Sequence, residues 1–301
     1  MYIKPIKHRM LKNNNYIIVA NNSNLLMVNE DIKNELSSSF FSENNLDKEI
    51  IDELVVSGFF TDNENYKSAI PNDNNSFIWS GARNLLFVIG FLSVVIVLLL
   101  LITQDFPLKY GLKNDSIDLW ENILYIVIFA IFTATIHEFM HMVFANNLNK
   151  GISSIKLSLK KASATVSMTH IWVWSFKNRI AAISAGVIAD VFELAILMIA
   201  YCFVEHWMIT IAISILGLRI MWQFRFHKNC DGKIIAMMIL DNPFIEEDYK
   251  RERTNLTAQE IKIWRYLRTI GYIVEFCILF FWILPFLCSI IKEVLVYAQF
   301  S

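Results

Sequence analysis

The chain has 301 residues, of which 55% are hydrophobic and only 18% are charged, and its mean hydropathy is +0.43. Soluble domains carry about 25% charged residues, so this composition argues for a membrane protein. The net charge of −1 argues against a nucleic-acid partner, which would call for a basic surface. The four cysteines form no Cys-x-x-Cys pair, which indicates reduced thiols rather than a disulfide framework.

The first 82 residues differ from the rest, because they are polar and rich in asparagine. We expect a small folded module there, and a membrane domain across residues 83–301. Residues 1–20 lack the basic-then-apolar pattern of a signal peptide. The N-terminus is therefore predicted to stay in the cytoplasm.

Within this module, two apolar runs flank an Asn-Asn-Ser-Asn turn and predict a β-hairpin. Two helices should follow, across residues 30–38 after the cap residue Asn29, and across residues 46–57 before Gly58. A hairpin followed by two helices suggests a winged-helix-like α+β fold. The second helix is acidic, which argues against DNA binding and favours a peptide, or the rest of this chain, as the partner of the module.

The remainder alternates long apolar runs with short charged segments, as in a mostly α-helical polytopic membrane protein. A bilayer needs about 20 apolar residues per helix. We count five spans, with six as the alternative, at residues 84–103, 119–145, 180–204, 207–224 and 271–291. Pro285 is expected to kink the last span.

Basic residues next to the spans predict their orientation. The loop of residues 146–179 contains six Lys or Arg residues and no acid, and the segment after the fourth span is also basic. Basic loops stay in the cytoplasm. We expect a multi-pass protein of a bacterial cell membrane, with the N-terminus and both basic loops inside.

The same basic loop shows period-two alternation at residues 155–159 and 164–168, which predicts a β-hairpin interrupted near residues 160–161. A strand at the membrane surface could offer its edge to an extended peptide. The alternative is a packed linker.

The second span contains the sequence His137-Glu138-Phe139-Met140-His141 in its predicted cytoplasmic half. Residues i and i+4 share one face of a helix, so both imidazoles can bind one metal ion. The intervening glutamate can then act as a general base. Ionisable groups in a span are rare and usually functional. The alternative is a pair of histidines that bond to neighbouring helices.

A catalytic zinc needs a third protein ligand. The candidates are Asp190, Glu193, Asp231, His170 and Cys230. We favour Asp231, because it lies in Asn-Cys-Asp-Gly at the start of an apolar helix and its glycine neighbour allows a close backbone approach. The alternative role for Asp231 is to cap that helix.

These motifs, in this order, resemble the site-2 protease family of intramembrane zinc metallopeptidases. The resemblance covers about residues 119–240. It implies that His137, His141 and Asp231 bind Zn²⁺ and that Glu138 activates water. No PDZ domain is evident, unlike in several members of that family.

Between the two motifs, residues 185–190 (Ala-Gly-Val-Ile-Ala-Asp) match the family's Gly-Pro-x-x-Asn segment, with the proline and the asparagine replaced by Val187 and Asp190. The resemblance implies that Gly186 and Asp190 contact substrate. Alternatively, Asp190 pairs with Arg219 of the fourth span, which would avoid a lone buried charge.

Residues 25–36 and 50–58 are weakly similar to PqqD-like domains, which recognise the leader peptides of ribosomally made, modified peptides. We therefore expect a zinc metalloendopeptidase that cleaves a small membrane-associated or modified peptide during maturation or export, together with peptide-export machinery. One alternative is regulated intramembrane proteolysis of a membrane-anchored signalling protein. Another is a non-catalytic peptide-binding accessory or immunity protein.

Overall fold

The computed structural model describes residues 1–38, 46–64, 66–104, 118–148, 155–158, 163–166, 168–251 and 256–300. They form two compact units. The first unit combines Met1–Ser76 with Met142–Ala182, and the second combines Phe77–His141 with Ile183–Ser301.

The N-terminal part of the first unit contains small antiparallel sheets and two helices. The elements are β1 (Tyr2–Ile3), β2 (Lys7–Met10), β3 (Tyr16–Val19), β4 (Leu26–Val28), α1 (Glu30–Ser37), α2 (Lys48–Val56) and β5 (Phe60–Thr61). Strands β2, β3 and β4 pair in that order, and β1 pairs with β5. The predicted hairpin is confirmed as β3–β4, with Tyr16 opposite Val28. Strand β2 was not predicted, because its sequence Lys-His-Arg-Met lacks apolar alternation.

Local capping sets the ends of both helices as predicted. The Asn29 side chain accepts a hydrogen bond from the Ile32 amide at 2.9 Å and so caps α1. Gly58 ends α2 with φ +83°, a conformation that glycine adopts without strain. The turn at Gly58 brings Phe59 into the apolar core of this module, beside Ile18 and Leu54.

The second part of this unit contains the predicted hairpin and a short 3-10 helix. Strands β6 (Ile155–Ser158) and β7 (Ser163–Val166) pair antiparallel, whereas residues 160–161 lie outside the described residues. The 3-10 helix Thr169–Val173 packs on β2 and β3, where Arg9 Nε donates to the Trp172 carbonyl at 2.8 Å. The N-terminal sheet is therefore bound to the segment that follows the hairpin.

The second unit is helical. Its elements, some of which continue into the first unit, are α3 (Phe77–Thr103), α4 (Leu119–Phe144), α5 (Phe176–Tyr201), α6 (Trp207–Trp222), α7 (Asp231–Ile239), α8 (Ile245–Lys250), α9 (Ala258–Ile278), a π-helical turn (Leu279–Ile283) and α10 (Leu284–Phe300). Helix α3 begins before the domain boundary predicted at residue 83.

Four helical segments within the described residues are long and apolar enough to cross a membrane, which indicates membrane insertion. They are Phe77–Thr103, Leu119–Phe144, Phe176–Tyr201 and Ala258–Lys292. The run predicted as the fourth span forms α6, which has 16 residues. At 1.5 Å per residue α6 is about 24 Å long, less than the ~30 Å hydrocarbon core.

The irregular turn in the last long helix lies immediately before Pro285, where a kink was predicted. Proline has no N–H, and its ring would clash with the carbonyl of Phe281 in a regular helix. The π-helical turn Leu279–Ile283 widens the backbone at this point. The helix therefore continues past the proline.

Helices α4, α5 and α6 pack together through apolar side chains. Leu194 and Met198 of α5 contact Ile213 and Leu216 of α6, and a second cluster joins α6 to α4 around Ile211. The packed helices hold in place the polar side chains described next.

Candidate metal centre

The two histidines of the His-Glu-x-x-His motif face the same side of α4. His137 and His141 are 3% and 1% exposed, and their Nε2 atoms are 3.1 Å apart. The predicted i, i+4 spacing therefore brings both ring nitrogens to one point inside the helical unit.

Asp231 completes this group. It is the first residue of α7, and Cys230 occupies the N-cap position. Oδ2 of Asp231 lies 2.9 Å from His137 Nε2 and 3.1 Å from His141 Nε2. Burial by itself raises the pKa of Asp231, but the adjacent imidazoles of His141 and His137 outweigh burial and hold the pKa well below its usual range.

The three atoms fit the ligand set of one metal ion. All three atoms lie within 4.8 Å of one another. Among the described residues, these are the His, Cys, Asp or Glu side chains that come close enough together to hold a metal ion. Tetrahedral zinc, with bonds of about 2.0–2.1 Å, separates its ligand atoms by about 3.3 Å. A small outward movement of each side chain would therefore accommodate an ion.

The loop of residues 223–230, hereafter the ligand loop, positions Asp231. The Gln223 side chain accepts a hydrogen bond from the Asp231 amide at 3.1 Å, and the Cys230 thiol donates to the Gln223 carbonyl at 3.2 Å. A Cβ at Gly232 would lie 2.0 Å from that carbonyl oxygen. Only glycine fits at this position, because the loop folds back and brings Gln223 against the start of α7.

Helix α9 supports the ligand loop from a second side. His227 lies 2.5 Å from the Glu275 carboxylate and stacks on Tyr272, with ring centroids 4.2 Å apart. A Cβ at Gly271 would approach the Phe226 amide nitrogen to 2.8 Å. The loop backbone therefore rests directly on the helix.

Asp190 of α5 contacts the opposite nitrogen of a candidate ligand. Its Oδ2 accepts a hydrogen bond from His137 Nδ1 at 2.8 Å, and Arg219 Nε lies 3.1 Å from the same oxygen. Arg219 also donates to Thr133 Oγ1 at 3.0 Å. The pairing of Asp190 with Arg219, one of the two predicted roles, is present.

Gly186 leaves room for the two imidazoles of the candidate centre. A Cβ at this position would lie 2.6 Å from Nε2 of both His137 and His141. The α5 backbone thus reaches the two ring nitrogens more closely than any other residue type would permit.

The other predicted candidates have different surroundings. Glu138 is 8% exposed and lies between the two histidines on α4, whereas Glu193 is half-buried on α5. His170 donates to the Ala145 carbonyl at 2.8 Å. The Cys230 thiol is buried, which raises its pKa, and it bonds to Gln223 as described above.

Some residues around the centre were not predicted. Thr133 lies four residues before His137, so the helical period of α4 could have identified it. Gln223 and Glu275 carry no comparable signal, because their contacts arise only when the ligand loop folds back and meets α9.

Comparison of the chain with protein-family models, with curated proteins and with solved structures gave no match.

Proposed function

We propose that this chain is a membrane-embedded zinc metalloendopeptidase. The observation that carries the proposal is the convergence of His137 Nε2 and His141 Nε2 with Asp231 Oδ2, which lies 90 or more residues later in the sequence, inside an apolar helical unit. Burying these polar groups is costly in free energy unless they share a partner or a function.

The charges around the histidines suit a divalent cation. Glu138, Asp190 and Asp231 are carboxylates, and Arg219 is the neighbouring guanidinium. When ionised, these groups carry two excess negative charges, which a divalent ion would neutralise. His137, His141 and Asp231 would hold zinc, which supplies Lewis-acid polarisation of a carbonyl and acidification of water.

Glu138 is the proposed general base. It lies on α4 between the two ligands, and its side chain is largely buried. Its carboxylate would take a proton from the attacking water and deliver that proton to the leaving amine. The presence of this glutamate favours an enzyme over a non-catalytic peptide-binding protein, which would not need a base.

The proposed substrate is a small membrane-associated or ribosomally made peptide, and the proposed site of action is a bacterial cell membrane, with the N-terminus and the basic loops in the cytoplasm. The hairpin β6–β7 could pair with an extended peptide. The N-terminal module resembles leader-peptide-binding domains in sequence, and it contains the hairpin and the two helices that were predicted for it. This supports a role beside peptide-export machinery.

The test uses the full-length chain purified in detergent. We expect about one zinc per chain by elemental analysis, and loss of zinc in the His141→Ala variant. The protein is then reconstituted with synthetic single-span peptides in phospholipid vesicles, and products are identified by mass spectrometry. Wild type should cleave, whereas Glu138→Gln should keep its zinc and yield no products.

These measurements distinguish a zinc peptidase from a non-catalytic peptide-binding protein. Absence of zinc from the wild type would overturn the proposal, and so would equal cleavage by Glu138→Gln. Zinc binding without cleavage of any peptide would favour the non-catalytic alternative.

A further inference from the structure

We infer that Asp190 is a positioning residue, which fixes the ring of His137 for metal binding and has Arg219 as its counter-ion. This inference rests on the proposed function. It assigns Asp190 to the metal ligand rather than to the substrate.

The hydrogen bond at Nδ1 determines which nitrogen of His137 is free. Asp190 Oδ2 lies 2.8 Å from Nδ1 and can accept a hydrogen bond there, so a neutral ring whose Nε2 binds a metal has its proton on Nδ1, facing this carboxylate. Nε2 then keeps its lone pair and faces His141 and Asp231 at 3.1 and 2.9 Å. Metal binding through Nε2 requires this tautomer, and a carboxylate partner at Nδ1 also makes the ring a stronger ligand.

Arg219 makes a buried carboxylate tolerable at this position. Asp190 is 0% exposed, and an unpaired charge there would be strongly destabilising. Arg219 Nε lies 3.1 Å from Oδ2, and its Nη1 donates to Thr133, one turn before His137 on α4. The chain of contacts therefore starts and ends on α4, which holds the carboxylate against the ring.

The same geometry argues against a substrate contact. An ionised carboxylate has no donor, so it cannot bind the carbonyl oxygens of a peptide backbone. The Oδ2 atom is engaged by His137 and Arg219. The Oδ1 atom has no hydrogen-bond partner among the described residues, but the side chain is 0% exposed, so neither oxygen is open to a peptide.

The experiment compares two neutral substitutions of similar size in the full-length protein. Asp190→Asn retains a carbonyl oxygen that can accept from Nδ1, whereas Asp190→Leu cannot accept. Zinc affinity is measured by competition with a chromophoric chelator. We expect Asp190→Leu to weaken zinc binding by about 10- to 100-fold and Asp190→Asn to weaken it much less. The visible spectrum of the Co²⁺-loaded protein should change in the leucine variant only.

Two further variants control for charge and folding. Glu193→Gln removes a carboxylate from the same helix without touching His137, and it should keep wild-type affinity. Asp190→Leu leaves Arg219 unpaired, so the Asp190→Leu/Arg219→Met double variant tests the same loss without a lone charge. It should show the same weak zinc binding and a wild-type melting temperature.

The zinc measurements distinguish a failure of this inference from a failure of the proposed function. If wild type binds no zinc, this inference and the proposed function both fail. If wild type binds zinc and the leucine variants bind it equally well, only this inference fails. Equal losses in Asp190→Asn and Asp190→Leu would assign the effect to charge and overturn the hydrogen-bonding role. If the Asp190 variants keep wild-type zinc affinity but lose peptide cleavage, Asp190 acts on the substrate, and the inference of a positioning role is overturned.

Discussion

At the scale of single residues, the candidate metal centre depends on glycines as much as on ligands. Gly186 and Gly232 stand where a Cβ would meet the histidine nitrogens at 2.6 Å and the Gln223 carbonyl at 2.0 Å. Neither residue needs an unusual backbone angle; both are selected by space. The glycines in these motifs are therefore explained by the close approach of the backbone to the histidine rings and to the Gln223 carbonyl.

Gly186→Ala should abolish or strongly weaken metal binding, because its methyl group would occupy the space between His137 Nε2 and His141 Nε2. Zinc content after purification measures this. The matched control is Gly81→Ala in α3, where a Cβ meets no atom within 4 Å. That variant should keep its zinc and gain up to ~1 kcal/mol of helix stability. Normal zinc content in Gly186→Ala would contradict the geometry of this centre.

At the scale of elements, the position of Asp231, the proposed third ligand, depends on helices that contribute no candidate ligand. Helix α7 carries Asp231 and packs with α8 and α9 in an apolar cluster around Ile245 and Trp264. An ion pair adds to this packing, since Lys233 of α7 contacts Glu246 of α8. Glu246 also lies 2.7 Å from Lys250. The position of α7 is therefore set by α8 and α9.

This ion pair predicts a pH dependence of stability. Burial raises the pKa of Glu246, but Lys233 and Lys250 outweigh it and lower the pKa below 4.5. The ionised pair thus stabilises the fold above pH 4.5, and the contribution is lost as the pH falls through the lowered pKa. Glu246→Gln should reduce the melting temperature at neutral pH, and the difference from wild type should vanish in acid.

The exposed neighbour Glu247 supplies the control for this measurement. Glu247→Gln should melt like wild type at every pH. A deficit of Glu246→Gln that persists unchanged in acid would mean that the ion pair is not its cause.

At the scale of the whole molecule, the exposed apolar surface and the candidate metal centre belong to the same helical unit. Phe91, Leu98 and Phe132 are among many large apolar side chains exposed on the long helices, whereas the histidines of the centre are buried. Exposed apolar surface of this extent on helices of membrane-spanning length indicates membrane insertion. The same helices therefore carry both the apolar surface that indicates membrane insertion and the side chains of the candidate centre.

We expect the full-length chain to remain in the membrane pellet after alkaline carbonate extraction, which releases proteins held only by surface contacts. Four apolar helices bury too much hydrocarbon surface for such release. Detergent should solubilise it, and a soluble marker enzyme in the same cells serves as the control. Recovery of the intact chain in the carbonate supernatant would refute membrane insertion.

Local pattern was enough for much of this protein. Long apolar runs determine helices of membrane-spanning length, the turn at Gly58 and the cap at Asn29 follow from backbone chemistry, and the i, i+4 spacing places His137 beside His141. Such features depend on neighbours within a few residues. Strand β2 and the short length of α6 escaped prediction, because pairing and packing decide them.

Only the tertiary structure decided which distant groups meet. From the sequence, the third ligand was predicted as Asp231, with Asp190, Glu193, His170 and Cys230 as the other candidates. The fold brings Asp231 to the two Nε2 atoms and directs Asp190 to Nδ1 of His137. The loop before Asp231 depends on Gly232, which the local Asp-Gly pair indicated, and on Gln223 and the support of α9, which have no local signature. The sequence by itself determined the chemical groups and their helices, and packing determined their partners.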